Sequence, residues 1–180
     1  MLKLEKIYTL AVLSGLPSLA NFILASREVP KVGTAATNGT VIFYNNDFID
    51  ALSTREALGV FAHEFYHIVY NHIERGKKFK AVMIGTKEDV TQEAMSVWNI
   101  AGDVIVNDSV VRRMNLPIPS IAIRRGDGTF KDLPDECNTT VKVYNWLLKN
   151  GKEMTPSEVE SFTKSEKERE SVKGEEESLS

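Results

Sequence analysis

Cysteine is almost absent from this 180-residue chain, and histidine is scarce. Cys137 is the only cysteine, which excludes an intramolecular disulfide and a cysteine-rich zinc site. Because structural disulfides belong to oxidising compartments, their absence favours a reducing one, and we expect a cytoplasmic protein. The three histidines, His63, His67 and His72, confine imidazole chemistry to one short stretch.

A surplus of positive charge is also missing. The chain has 22 basic and 25 acidic residues, a net charge of −3, so no nucleic-acid partner is expected. Residues 151–180 hold nine glutamates and five basic residues, which leaves residues 1–150 at +1. This segment has little apolar surface to bury, so we predict an acidic disordered tail at residues 151–180, after a single domain at residues 1–150.

No long apolar run is uninterrupted. Residues 7–24 are strongly apolar, but polar residues and a proline divide them: Thr9, Ser14, Pro17, Ser18 and Asn21. An amphipathic helix over residues 3–26, or two half-helices bent at Pro17, is therefore favoured over a secretion signal or a membrane span. No membrane partner is expected.

A second amphipathic helix is predicted from residue 54 to about residue 73. Ser53 and Glu56 have the three-residue spacing of a capping box at its start. Apolar residues then recur at helical spacing: Ala57, Leu58, Phe61, Ala62, Phe65, Ile68 and Val69. The middle of this helix holds two of the three histidines.

The stretch His63-Glu64-Phe65-Tyr66-His67 has the pattern H-E-x-x-H. On a helix the two histidines lie about 40° apart around the axis, so their imidazoles face one point. A tetrahedral zinc ion requires this of two nitrogen ligands, and Glu64 is then placed to act as a general base on zinc-bound water. The pattern therefore predicts a zinc site.

A catalytic zinc site needs a third protein ligand and one open position. In the pattern H-E-x-x-H-x-x-G-x-x-H, a glycine turn brings in a third histidine, but Tyr70 and Ile73 occupy those two positions here. His72 lies about 140° around the helix from His67 and should point elsewhere unless the helix ends early. We expect His72 to cap the helix end or to lie at the surface.

A carboxylate from another helix is the favoured third ligand. A long helix is predicted at about residues 89–114, and Asp103 lies in its apolar run, where an unpaired carboxylate would be costly to bury. Gly102 leaves room for a close contact between helices. Two residues lie four positions to either side of Asp103 and could orient ligands by hydrogen bonds: Asn99 and Asn107. The alternative is a buried aspartate bonded to a helix cap or to Arg75.

Other segments of the chain have simpler patterns. Asn38-Gly39 is a strong turn signal for a β-hairpin within residues 32–44. Residues 74–88 are expected to form a loop, and a last helix is expected to end at Gly151. The expected fold is α+β and mainly helical, with an active-site helix, a packed second helix and a small antiparallel sheet or hairpin.

These patterns together resemble a metallopeptidase domain of bacteria and their phages that commonly precedes a von Willebrand factor A-like domain. The resemblance covers about residues 1–150 and rests on His63-Glu64-x-x-His67, Asn71-His72, Arg75, Trp98-Asn99-Ile100-Ala101-x-Asp103-x-x-x-Asn107, Ala36-Thr37-Asn38-Gly39, Phe43-Tyr44-Asn45 and Val141-x-x-Tyr144-x-x-Leu147. It implies a zincin-like fold with metal ligands at His63, His67 and Asp103. It also makes a separate von Willebrand factor A-like protein a candidate partner.

The motif and the resemblance predict a zinc metallopeptidase that hydrolyses a peptide or protein substrate. Zn²⁺ would be held by His63, His67 and Asp103, with Glu64 as the general base. Residues 40–44 are expected to be an edge strand along which a peptide aligns. Two alternatives stay open: a non-catalytic binding or assembly protein in which zinc joins two helices, and a hydrolase of non-peptide amides.

Overall fold

The computed structural model describes residues 3–79, 82–86, 92–119 and 122–150. The predicted tail, and with it the predicted domain boundary at residue 150, lies outside these residues. The described elements in chain order are α1 (Lys3–Leu13), α2 (Pro17–Ala25), β1 (Arg27–Glu28), β2 (Ala35–Thr37), β3 (Ile42–Tyr44), α3 (Asn46–Ala51), α4 (Thr54–Val69), α5 (His72–Gly76), β4 (Val82–Thr86), β5 (Gln92–Ser96), α6 (Val97–Met114), a 3-10 turn (Gly128–Phe130) and α7 (Thr140–Asn150).

The predicted hairpin is present between β2 and β3, which pair in antiparallel fashion. Gly39 in the turn has a φ of +102°, a conformation that glycine adopts without strain. The Asn38 side-chain oxygen accepts hydrogen bonds from the backbone N–H groups of Thr40 and Val41, both at 2.9 Å. The turn is thus stabilised by the residue types that predicted it.

The strand β3 is central, because β1 pairs with it in parallel on the side opposite β2. The prediction that residues 40–44 form an edge strand is therefore wrong, and the sheet is mixed rather than purely antiparallel. β1 contains only two residues and closely follows α2. A strand this short has no alternating pattern from which it could be predicted.

Helix α4 carries the H-E-x-x-H motif and begins at the predicted capping box. The Ser53 hydroxyl accepts a hydrogen bond from the Glu56 N–H at 3.2 Å, and the Glu56 carboxylate accepts one from the Ser53 N–H at 2.9 Å. Hydrogen bonds to the Glu56 carboxylate from the side chain and the backbone of Ser53 lower the pKa of Glu56. The helix buries one face in the first hydrophobic cluster, with Ala57, Leu58, Val60, Phe61 and Ala62.

Helix α4 ends at Val69, about four residues earlier than predicted. Asn71 has a left-handed backbone with a φ of +51°, which an asparagine tolerates better than most residues. The chain turns there and begins the short helix α5 at His72. Because of this change of direction, His72 does not lie on the continuous helix that the apolar spacing predicted.

Helix α6 begins at Val97 rather than near residue 89. The preceding residues form β5, which pairs in antiparallel fashion with β4, and β4 lies in the segment predicted to be a loop. Both predictions are wrong because the pairing of β4 with β5, rather than the local sequence pattern of each segment, determines their structure. Ser96 provides the cap of α6, accepting a hydrogen bond from the Asn99 N–H.

Two hydrophobic clusters surround the contact between α4 and α6. The first lies mainly on α1, α2 and α4, and the second mainly on α6 and α7. The backbone of Pro117 approaches α4 at Gly59 so closely that a Cβ there would lie 1.9 Å from the Pro117 carbonyl oxygen. The mainly helical α+β fold is confirmed. No described helix is long and apolar enough to cross a membrane.

Candidate metal centre

The two motif histidines lie on successive turns of α4 and point toward one position. Their Nε2 atoms are 3.0 Å apart, and the ring centroids are 4.7 Å apart. His67 is only 1% exposed, whereas His63 lies closer to the surface. This is the convergence that the four-residue helical spacing predicted.

Asp103 reaches the same position from α6. Its Oδ1 atom lies 3.1 Å from Nε2 of His67 and 3.8 Å from Nε2 of His63. The aspartate is 5% exposed, so its carboxylate is withdrawn from bulk water and placed against two imidazoles. The structure therefore brings together the three side chains that were predicted from the sequence to be metal ligands.

The spacing of the three donor atoms fits a metal ion. Ligand atoms about 2.0–2.1 Å from a tetrahedral zinc ion lie about 3.3–3.4 Å from one another. The three observed separations of 3.0, 3.1 and 3.8 Å lie on both sides of that value. Two imidazole nitrogens with one carboxylate oxygen also form a donor set that suits zinc better than calcium or magnesium, which prefer oxygen ligands.

Asn107 orients His63 from the side away from the metal position. Its Oδ1 atom is 2.8 Å from Nδ1 of His63, and its amide nitrogen donates to the carbonyl oxygen of Ile123 at 2.9 Å. Because the amide nitrogen is used as the donor, Oδ1 acts as the acceptor, and Nδ1 of His63 carries the proton. The lone pair of His63 is then on Nε2, toward Asp103.

Asn107 makes a hydrogen bond with a motif histidine, as the orienting role predicted for it requires. Asn99, the second residue predicted for this role, is half-buried at the start of α6, where its backbone N–H contacts the Ser96 cap. Asn99 lies in the first turn of α6, four residues before Asp103, so it is on the helix face that carries Asp103.

His72 is buried rather than exposed, with 3% of its surface accessible. It contacts His67 through the two Nδ1 atoms, 3.0 Å apart, so it lies on the opposite side of the His67 ring from Asp103. The group of side chains that could hold a metal comprises His63, His67 and Asp103. The expectation that His72 caps a helix or lies at the surface is wrong, because α4 ends before it.

Glu64 lies beside the three converging side chains. Its Oε1 atom is 3.9 Å from Nε2 of His63, and the residue is 5% exposed. The carboxylate is therefore too far from that nitrogen for a direct hydrogen bond but close enough for an intervening water.

Arg75 and Tyr70 form contacts of their own near this site. Arg75 donates a hydrogen bond to the Tyr70 carbonyl oxygen and lies over the Trp98 ring, 5.3 Å from its centroid. The Tyr70 hydroxyl is 2.8 Å from the Ser109 hydroxyl. The placement of Asp103 against two imidazoles thus favours the ligand interpretation over a pairing with Arg75.

Comparison with known proteins agrees with this geometry. A family model described as "Putative metallopeptidase domain" matches residues 9–178. The chain belongs to this family, which confirms the resemblance seen in its motifs. No curated protein and no solved structure matches the chain significantly.

Proposed function

Because the chain belongs to a metallopeptidase family, we propose that it is a zinc-dependent peptidase that hydrolyses peptide bonds. The observation that carries the proposal is the convergence of two imidazole nitrogens and one carboxylate oxygen beside a second, buried carboxylate, that of Glu64. Family membership supports peptide hydrolysis as the reaction class. The donor chemistry supports zinc as the metal.

His63, His67 and Asp103 would hold the zinc ion. The chemistry that zinc supplies in such a site is Lewis acidity, which lowers the pKa of water and polarises a carbonyl group. Three protein ligands are the number that catalytic zinc sites combine with one open position. Asn107 contributes by keeping Nε2 of His63 available as the ligand atom.

Glu64 would act as the general base. Its carboxylate accepts a proton from the attacking water and later passes that proton to the leaving amine. Its Oε1 atom lies 3.9 Å from Nε2 of His63, beside the converging group of His63, His67 and Asp103, which supports this role. Burial supports the role, because a carboxylate with restricted access to bulk water exchanges its proton within the site.

Replacement of Glu64 by glutamine tests this proposal. The expected result is zinc bound near one equivalent, as in the parent, with hydrolysis of an unstructured protein slowed by at least about 100-fold. Glu74→Gln is a matched control, because Glu74 is an exposed glutamate paired with Lys77 on the short helix α5. A Glu64→Gln variant that digests the substrate as fast as the parent would refute the assignment.

A second function is favoured by one feature, the position of the three side chains across the contact between α4 and α6. Zinc there would join the two helices in a non-catalytic binding or assembly protein. Such a protein would bind zinc and gain stability from it, but would cleave no member of a mixed peptide and amide library. Cleavage of amides without cleavage of peptides would instead identify an amidohydrolase.

A further inference from the structure

The two ring nitrogens of His67 face different partners. Nε2 faces Asp103 at 3.1 Å, and Nδ1 lies 3.0 Å from Nδ1 of His72. The second nitrogen of His72, Nε2, lies 2.7 Å from the hydroxyl oxygen of Thr140 at the first residue of α7. A row of hydrogen-bonding groups therefore runs from the metal position through two histidines to a third helix.

The position of His72 is held from several sides. Its carbonyl oxygen accepts a hydrogen bond from Nε1–H of Trp98 at 2.9 Å. Gly102 on α6 leaves the space that the ring occupies, because a Cβ at that position would lie 3.2 Å from Nδ1 of His72. Together with the left-handed turn at Asn71, these contacts place the ring in one orientation behind His67.

The direction of the hydrogen bonds follows from the ligand role of His67. A metal ion on Nε2 requires the lone pair there, so Nδ1 of His67 carries the proton and donates it. Nδ1 of His72 must then accept, which places the His72 proton on Nε2. That N–H donates to the Thr140 hydroxyl, so each ring in the row is held in a single tautomer.

We propose that His72 is a positioning residue, which holds His67 in the tautomer and ring orientation that metal binding requires, and that Thr140 holds His72 in turn. This inference rests on the proposed function, because it assigns a role relative to the zinc ligands. Ligating histidines commonly donate their second N–H to an acceptor, and losing that acceptor typically weakens metal affinity about 10- to 100-fold. Here the acceptor is another histidine, connected to α7.

Two substitutions distinguish the roles of the two ring nitrogens of His72. His72→Asn keeps an acceptor near the place of Nδ1, since the Asn oxygen is attached to the same carbon position, but it cannot reach Thr140. His72→Gln places its amide near Nε2 and loses the acceptor for His67. We expect His72→Gln to weaken zinc binding about 10- to 100-fold, and His72→Asn to bind zinc more tightly than His72→Gln.

The measurements are the zinc dissociation constant, from competition with a chromophoric chelator, and the absorption spectrum of the cobalt(II) form. Circular dichroism of each metal-free variant checks that it folds. The cobalt spectrum of His72→Gln should differ from that of the parent, because a freed imidazole changes the ligand geometry. Equal zinc affinity in the parent and in a folded His72→Gln variant would overturn the proposal, as would equal losses in the Gln and Asn variants.

Substitutions at Thr140 provide an independent test if His72→Gln does not fold. Thr140→Val removes the hydroxyl with little change of shape, and Thr140→Ser restores it. Zinc affinity should fall in the first variant and recover in the second; equal affinities would overturn the role of Thr140. A parent protein that binds no zinc would refute the proposed function as well, whereas a zinc-binding parent with unaffected variants would refute only the inference about His72.

Discussion

The side chain of Asn107 lies between His63 and the backbone of Ile123, with its oxygen 2.8 Å from the imidazole Nδ1 and its nitrogen 2.9 Å from the carbonyl oxygen. The asparagine has 3% of its surface exposed, so water cannot easily replace either contact. His63 is the more exposed of the two histidines on α4, and it therefore depends more on this partner for its orientation.

Replacing Asn107 by leucine should weaken zinc binding without removing it. Leucine has a similar volume but cannot accept the hydrogen bond from Nδ1 of His63, so we expect the zinc dissociation constant to rise about 10- to 100-fold. Competition with a chromophoric chelator would measure it. Asn46→Leu, at an exposed position on α3, is the control and should bind zinc like the parent. Parent-like zinc affinity in Asn107→Leu would show that this contact does not orient a ligand.

Replacing Asp103 by alanine should abolish stoichiometric zinc binding. The variant retains only two of the three proposed ligands, so zinc should no longer stabilise the folded protein. In the parent, zinc at a hundredfold excess over its dissociation constant should raise the free energy of unfolding by about 2.7 kcal/mol, because only the folded state brings the ligands together. Thermal unfolding with zinc and with a chelator measures this difference. An undiminished zinc-induced shift in Asp103→Ala would contradict the ligand assignment, and Asp50→Ala, on the exposed face of α3, serves as the control.

Two glycine-to-alanine substitutions should affect different properties: one should lower the stability of the fold, and the other should lower the affinity for zinc. At Gly59 a Cβ would lie 1.9 Å from the Pro117 carbonyl oxygen, and a backbone group must move to admit it, so we expect a loss of about 1–3 kcal/mol in stability. At Gly102 a Cβ would lie 3.2 Å from Nδ1 of His72, so the His72 ring must shift instead, whereas the distance of 3.7 Å to His67 is an ordinary contact.

Denaturant unfolding and zinc competition on both variants measure the two effects. Gly59→Ala should unfold at lower denaturant yet keep most of its zinc affinity, since the atoms nearest to a Cβ there belong to Pro117 and Leu116 rather than to a ligand. Gly102→Ala should retain most of its stability, because alanine favours a helix over glycine, but should bind zinc more weakly. If Gly102→Ala bound zinc as tightly as the parent, the close packing of the histidine rings would not matter for the site.

Replacing Ser53 by alanine should destabilise α4 by about 1 kcal/mol, through the loss of the capping hydroxyl. The pKa of Glu56, which the bonds with Ser53 lower from 4.5, should rise toward that ordinary value. A lowered folded-state pKa stabilises the protein at pH values above the unfolded pKa, and this contribution is lost as the pH falls through the folded pKa. The acid-dependent loss of stability should therefore be smaller in Ser53→Ala.

Carboxyl NMR of Glu56 together with denaturant unfolding across acidic pH measures both quantities. Ser53→Thr preserves a hydroxyl acceptor and should behave like the parent. A Glu56 pKa that is unchanged in Ser53→Ala would show that the capping box does not cause its depression.

Several features of the fold and the site could be predicted from short stretches of the sequence. The capping box at Ser53, the helix that follows and the hairpin turn at Asn38 depend on interactions within a few residues, and all three occur in the structure. Asp103 was readable as an unusual carboxylate in an apolar run, because burial of an unpaired charge is costly wherever it occurs. The start of α6 and the β4–β5 pair could not be predicted, since residues 87–91 between the two strands contain no glycine, proline or asparagine that would indicate a turn.

The sequence alone determined that His63 and His67 face one point, because the four-residue repeat of a helix places them on the same side. Only the tertiary structure decided which residue contacts the Nδ1 atom of each imidazole ring. Asn107 reaches His63 from α6, and His72 reaches His67 after the chain reverses at Asn71. These contacts depend on the left-handed turn, the missing side chain of Gly102 and the packing between helices, so their distances come from the fold rather than from the spacing of residues along the chain.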